Sequence, residues 1–140
     1  MSDGAGEYPA ALEILLVEDN PGDVRLTKEA LRTTSIEHDF HVVTDGAEAL
    51  DFLHRRDEYA DAPRPDIILL DFKLPRLNGD EVAAEIDGTK ELRKIPLVVL
   101  TGHPAQDDVL GIDELPVDAA LTKPVDSEEF LETVRSFEQL

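Results

Sequence analysis

An open α/β sandwich, in which five parallel strands are doubly wound with five helices on both faces, is the fold that this sequence predicts. Three observations carry it. Short apolar runs of strand length alternate with segments of helical periodicity along the chain, the pattern of successive βαβ units. The run from Ile67 to Leu70 is apolar without alternation, as expected of a parallel strand covered on both faces by helices. Four runs also end on residues that can bear chemistry, namely Glu18-Asp19, Asp71, Thr101 and Lys123-Pro124. In open parallel sheets, ligands sit outside the carboxyl ends of the strands, near the point where strand order reverses.

Leu12 to Val17 is the first strand, and Asn20-Pro21-Gly22 forces a turn after it. Asp23 is the expected N-cap of a first helix that reaches about Thr33, with Val24, Leu26, Thr27, Ala30 and Leu31 at helical spacing. His38 to Val43 reads as a weaker second strand. After Asp45-Gly46, the residues Ala47, Leu50, Leu53 and His54 mark one face of a second helix, which Pro63 and Pro65 close off. Ile67 to Asp71 is the third strand. Gly79 opens a helix carrying Val82, Ala83 and Ile86, and Ile95 to Thr101 is the fourth strand. Residues 107–112 form a weakly amphipathic fourth helix. Ala119 to Thr122 is the fifth strand, and Ser127 caps a last helix that turns Phe130, Leu131, Val134 and Phe137 toward the core. Right-handed crossovers then place helices on both faces of the sheet.

At 140 residues the chain suits one domain, since domains commonly run about 100 to 150 residues. No apolar stretch approaches the roughly 18 to 20 residues of a membrane-spanning helix. The first eleven residues lack the basic and apolar pattern of a secretory signal. With no cysteine, disulfides and thiol redox chemistry are excluded and a cytoplasmic location is expected. The 13 Lys and Arg against 32 Asp and Glu leave a net charge of −19, which repels nucleic-acid phosphates and argues against direct DNA binding. The charge is scattered over the surface rather than gathered in a tail. Such self-repulsion is relieved when about 1 M salt shortens the screening length to roughly 3 Å, so a salt-loving host, a halophilic archaeon, is expected.

Carboxylates at strand ends are suited to a hard cation. Mg²⁺ takes carboxylate and water oxygens, usually with one or two protein carboxylates, and Asp19 and Asp71 meet that count with Glu18 acting through water. A carboxylate beside Mg²⁺ is either a ligand alone or a nucleophile that attacks phosphorus to give an aspartyl phosphate. Phosphoryl transfer also needs the equatorial oxygens neutralised, which a metal and a Lys ammonium achieve by positioned charge, and Lys123 stands at the end of the fifth strand. Each residue alone has an ordinary reading: a solvated acidic loop, a strand-end hydroxyl, a surface Lys before a turn Pro. It is their occurrence together, in this order, that points to one site. His38 and His41 fall on opposite strand faces and His54 and His103 lie far off in sequence, so no zinc site is expected.

The motifs ILLVEDNPGDVRL, DIILLDFKLPRLNGDEV, LVVLTG and LTKP, in this order and spacing, resemble those of the receiver domain of two-component response regulators. The resemblance spans about Leu12 to Gln139. The Asn-Pro-Gly-Asp turn and the short format are most similar to the stand-alone regulators paired with phytochrome-like and archaeal sensor kinases. The resemblance implies a flavodoxin-like fold with strand order 2-1-3-4-5, a receiver domain over residues 12–140 after a flexible segment 1–11, and no output domain. It implies a signalling protein rather than a classical enzyme, phosphorylated on Asp71 by a sensor histidine kinase with Mg²⁺ as cofactor. Glu18, Asp19 and Asp71 would then hold the metal with the backbone carbonyl of Lys73. Thr101 would be the switch hydroxyl, Lys123 and the Gly102 N–H would bind the phosphoryl group, and Pro124 would follow Lys123 through a cis peptide bond. Output would pass to a separate protein target or a phosphotransfer protein, without direct contact to nucleic acid or membrane. A homodimer could use the face of the fourth helix, fifth strand and fifth helix.

Two positions depart from the family pattern. Ala120 stands where an aromatic residue often serves as a partner to the switch hydroxyl, so the signal is expected to travel through Thr101, the loop after it and the fourth helix. Lys73, two places after Asp71, replaces the second Asp that a haloacid-dehalogenase-like phosphohydrolase needs there as acid and base, and its charge is expected to steady the phosphoryl group or hinder attacking water. A flavin-binding protein of the same architecture would carry a Ser/Thr-rich phosphate loop after the first strand, which is missing. A receiver-like module that binds partners without phosphorylation is the other alternative, and the full set Glu18, Asp19, Asp71, Thr101 and Lys123 argues against it.

Overall fold

The structure, a computed structural model, describes residues 11–34, 36–72, 79–102 and 116–137. Five parallel strands form one sheet: β1 (Leu12–Val17), β2 (His38–Val43), β3 (Ile67–Asp71), β4 (Leu97–Thr101) and β5 (Ala119–Thr122), in the order β2-β1-β3-β4-β5. Four α-helices are described: α1 (Pro21–Arg32), α2 (Gly46–His54), α3 (Gly79–Gly88) and α4 (Ser127–Arg135), with a 3₁₀ turn at Asp57–Tyr59. The expected helix at residues 107–112 lies outside the described residues, as do Lys73 and His103.

Strand parity divides the core into two layers. Ile14, Leu16, Ile67, Leu69, Val98 and Leu100 face one way and pack with Leu31 of α1 and with Phe130 and Val134 of α4. Leu15, Val17, Ile68, Leu70, Leu97 and Val99 face the other way, onto Ala49, Phe52 and Leu53 of α2 and Val82, Ala83 and Ile86 of α3. Successive strand residues point to opposite faces, so a strand buried on both sides must be apolar throughout. All five residues of β3 and of β4 are buried. Burying a side chain such as Phe130 contributes about 2 kcal/mol.

Helix starts differ from the sequence expectation in an instructive way. The cap of α1 is Asn20, not Asp23: its side-chain oxygen accepts the Asp23 N–H, and Pro21 sits at the first helical position, where no donor is needed. The Asp23 carboxylate, inside the first turn, is thereby not used as the cap. Asp126, not Ser127, caps α4 by accepting the Glu129 N–H at 3.0 Å. Helix α2 buries Leu53 as expected, but with Ala49 and Phe52 beside it, while Ala47, Leu50 and His54 are only partly buried. The reciprocal cap in which Asp45 accepts from Glu48 N and Glu48 accepts from Thr44 N fixes where the helix starts, and so its rotational phase. Strand β4 begins at Leu97 because Ile95 still closes a turn onto the Leu92 carbonyl.

Candidate functional site

Parallel strands deliver their last residues to one rim of the sheet, and the expected site residues gather there. Glu18 follows Val17 with its N–H still bonded to the Val43 carbonyl at 3.0 Å, which keeps the backbone extended and carries the side chain inward. It is 1% exposed, while Asp19 beside it is exposed. Asp71 ends β3 opposite Leu100, and Thr101, also buried, ends β4 one step further on. The Lys123 N–H bonds the Thr101 carbonyl at 2.8 Å, fastening the end of β5 to the end of β4, and the Lys123-Pro124 peptide is cis. Gly102 is exposed at the mouth of the site.

Gly79 has a role here that the sequence did not announce. A Cβ on it would lie 2.7 Å from the Phe72 carbonyl oxygen and 3.1 Å from that of Asp71. Only glycine lets α3 start this close to the end of β3. The start of one helix is thus pressed directly against the backbone of the buried aspartate.

The Lys123 ammonium is the electrostatic hub. Its Nζ lies 2.7 Å from Glu18 Oε1, 3.0 Å from Asp23 Oδ2 and 3.3 Å from Asp71 Oδ2. Burial works against its charge, but the close Glu18 carboxylate, the hydrogen bond to Asp23 and the charge of Asp71 outweigh it, so the amine is held above its ordinary range. Glu18 answers differently. Burial pushes its carboxyl up to about 7, Lys123 pulls it down and the neighbouring Asp71 pushes it up again. One oxygen, Oε2, accepts the Asn20 N–H at 3.2 Å. The other, Oε1, is buried with no hydrogen-bond partner: the ammonium is close, but poorly aligned for a directed bond.

Glu18 belongs to a set of residues that fits a divalent cation. Carboxylate oxygens of Glu18, Asp19 and Asp71 lie within 4.8 Å of one another, two of them buried and one open to solvent. Hard oxygen donors with an exposed side for water are what Mg²⁺ takes. A hydrated cation on one flank of Asp71 and an ammonium on the other can together neutralise a phosphoryl group between them. The histidines take no part among the described residues: His41 pairs with Glu13 and His54 with Glu85. The residue that sequence reasoning misassigned is Asp23, expected as a cap and found on Lys123, a contact across 100 positions that no local pattern signals.

Comparison with known proteins agrees with this geometry. The family model of the response regulator receiver domain matches residues 14–135. The response regulator Rcp1 of Synechocystis sp. is 43% identical over 125 residues, covering 89% of this chain and 85% of that protein. The phosphorylated cyanobacterial phytochrome response regulator RcpA superposes with a TM-score of 0.75 at 41% identity, over 93% of both chains. A Mn²⁺-bound form of Rcp1 superposes with a TM-score of 0.73 at 42% identity, over 92% of this chain and 93% of that one.

Proposed function

Because the chain belongs to the receiver-domain family of response regulators, signalling modules that accept a phosphoryl group in two-component pathways and bind a divalent metal, we propose that Asp71 is its phosphoacceptor. The observation that carries this reading is that the buried carboxylate of Asp71 belongs to an acidic metal-type cluster and also lies 3.3 Å from the Lys123 ammonium. An Asp71 oxygen attacks phosphorus; the O–P bond forms as the P–N bond to a kinase phosphohistidine breaks, and its electron pair leaves on the imidazole nitrogen. Lys123 holds the phosphoryl oxygens, with the Gly102 N–H as a further donor. Glu18, Asp19, Asp71 and the Lys73 carbonyl would hold Mg²⁺, which when bound supplies positive charge for the equatorial oxygens.

The Thr101 hydroxyl then turns toward the new charge. Position 120 on β5 is an alanine, so it has no ring to follow the hydroxyl inward, and the change passes through the loop after Thr101 to the face beside β5 and the C-terminal helix. That face would meet a downstream target, a phosphotransfer protein or a second copy. The partner upstream is a sensor histidine kinase, for which the phytochrome-like type is the best fit. No helix among the described residues is long and apolar enough to cross a membrane, and a cytoplasmic site of action with no direct nucleic-acid contact fits the −19 charge. The same charge supports a halophilic archaeal origin, testable by unfolding between about 0.1 and 3 M KCl: stability undiminished at the low end would refute it.

The phosphoacceptor is tested by incubation with acetyl phosphate and Mg²⁺ and intact-protein mass spectrometry. The wild type gains one phosphoryl group and Asp71→Asn gains none. Equal uptake by the variant would move the site elsewhere, and multiple turnover of a phosphoester would indicate a hydrolase instead.

A further inference from the structure

We propose that Asp23 is a positioning residue for phosphotransfer, which parks the Lys123 ammonium against the first turn of α1 and must release it when the phosphoryl group arrives. The proposal rests on the reading of Asp71 as phosphoacceptor and extends it to a residue outside the acidic cluster.

Donor count is the starting point. An ammonium has three N–H groups, and in the resting protein three carboxylates surround this one: Glu18 at 2.7 Å, Asp23 at 3.0 Å and Asp71 at 3.3 Å. A phosphoryl group on Asp71 adds a charge of about −1.5 to −2 and three strong acceptor oxygens beside Nζ. One resting partner has to yield. The side chains of Glu18 and Asp71 are 1% and 9% exposed, whereas that of Asp23 is 35% exposed. A buried carboxylate that loses its cation keeps its charge without hydration, while a half-exposed one is rehydrated at little cost. Asp23 is therefore the partner that lets go.

Its backbone cannot follow the ammonium. Asn20 Oδ1 holds the Asp23 N–H at 3.1 Å and Pro21 fixes the turn before it, so Asp23 offers its carboxylate from a stationary place. The tie also joins α1 to the end of β5 across 100 positions of chain. Phosphorylation then loosens the start of α1 as well as the rim around Thr101. Asp23 makes and breaks no covalent bond; it acts only through Lys123.

Two double-mutant cycles test this. In Mg²⁺-free buffer without any phosphodonor, urea unfolding of wild type, Asp23→Asn, Lys123→Met and the double variant reads the resting tie. Asp23→Asn should lower the midpoint in the wild-type background and leave it unchanged or raise it in Lys123→Met; equal shifts in both backgrounds overturn the tie. With acetyl phosphate and Mg²⁺, the initial phosphorylation rate should rise about threefold in Asp23→Asn, the size expected for releasing one part-exposed ion pair. The rise should disappear in the Lys123→Met background, and Asp23→Glu should return the rate toward wild type. Glu29→Gln, which removes a charge elsewhere on α1, should leave the rate unchanged. A rise of equal ratio in both Lys123 backgrounds, or an equal rise in Glu29→Gln, would mean that general charge repulsion acts rather than Asp23. A wild type that takes up no phosphoryl group overturns the Asp71 reading and the release together, while the unfolding cycle still decides the resting tie.

Discussion

Two glutamates follow strand ends in this molecule, and their surroundings have opposite effects on them. Glu48, near the start of α2 after β2, has both oxygens satisfied: Oε2 by the Tyr59 hydroxyl at 2.5 Å, Oε1 by the Thr44 N–H at 2.9 Å and the Thr44 hydroxyl at 3.3 Å. The bond from Tyr59 leads in holding its carboxyl below the ordinary carboxylate range, against a smaller upward push from burial. Glu18, after β1, has one oxygen without a hydrogen-bond partner, and burial lifts it to about 7. A carboxylate with a full set of neutral donors is structural. One that is buried, crowded by a second acid and short of donors is held ready for a cation.

The contrast makes graded predictions. The largest concerns Lys123, whose removal leaves Glu18 and Asp71 buried without their cation. Lys123→Ala should lose about 3 kcal/mol at neutral pH in metal-free urea unfolding, with part recovered on adding Mg²⁺. A loss below a few tenths, or no recovery, would place these acids in contact with water instead.

Next is the pH dependence of Glu18. Its folded pKa, about 7, lies above the unfolded value of 4.5, so folding takes up a proton between them. The contribution is complete below about 4.5 and is lost as pH rises through about 7. Metal-free wild type should therefore lose urea stability from pH 5 to pH 8, and Glu18→Gln should lack that part of the slope. Identical slopes would remove Glu18 as the cause. Mg²⁺ should bind more weakly at the acid end, because protons compete for the same oxygens.

The smallest effect belongs to the satisfied glutamate. Tyr59→Phe should cost about 1 kcal/mol and leave phosphorylation by acetyl phosphate unchanged. Because the Glu48 carboxyl is lowered, its contribution is present above the ordinary carboxylate range and is lost only as pH falls below it. A phosphorylation defect in Tyr59→Phe would show that the two regions are coupled.

Much of the architecture was legible in the residues because strand parity and strand ends are local properties. Leu12–Val17, His38–Val43, Ile67–Asp71 and Ala119–Thr122 fall where the sequence places them; Ile67–Asp71, buried throughout, is the clearest, since a run buried on both faces has no choice but to be apolar. The acids at 18, 19 and 71 were legible for the same reason, as polar residues interrupting such runs. Caps were less so: Asn20 against Asp23, three positions apart, and the adjacent Asp126 and Ser127 are residues of near-equal capping tendency, and backbone geometry chooses between them.

The order of residues thus settles which side chains reach the rim of the sheet, because side-chain direction along a strand is a matter of counting. It does not settle which of the carboxylates at positions 18, 23 and 71 share one ammonium, nor that Glu18 is lifted while Glu48 is lowered. Those outcomes depend on distance and on the exclusion of water, which arise only when segments 100 positions apart are packed together. That is why Asp23 reads as a helix cap in the sequence and stands in the fold as a partner of Lys123.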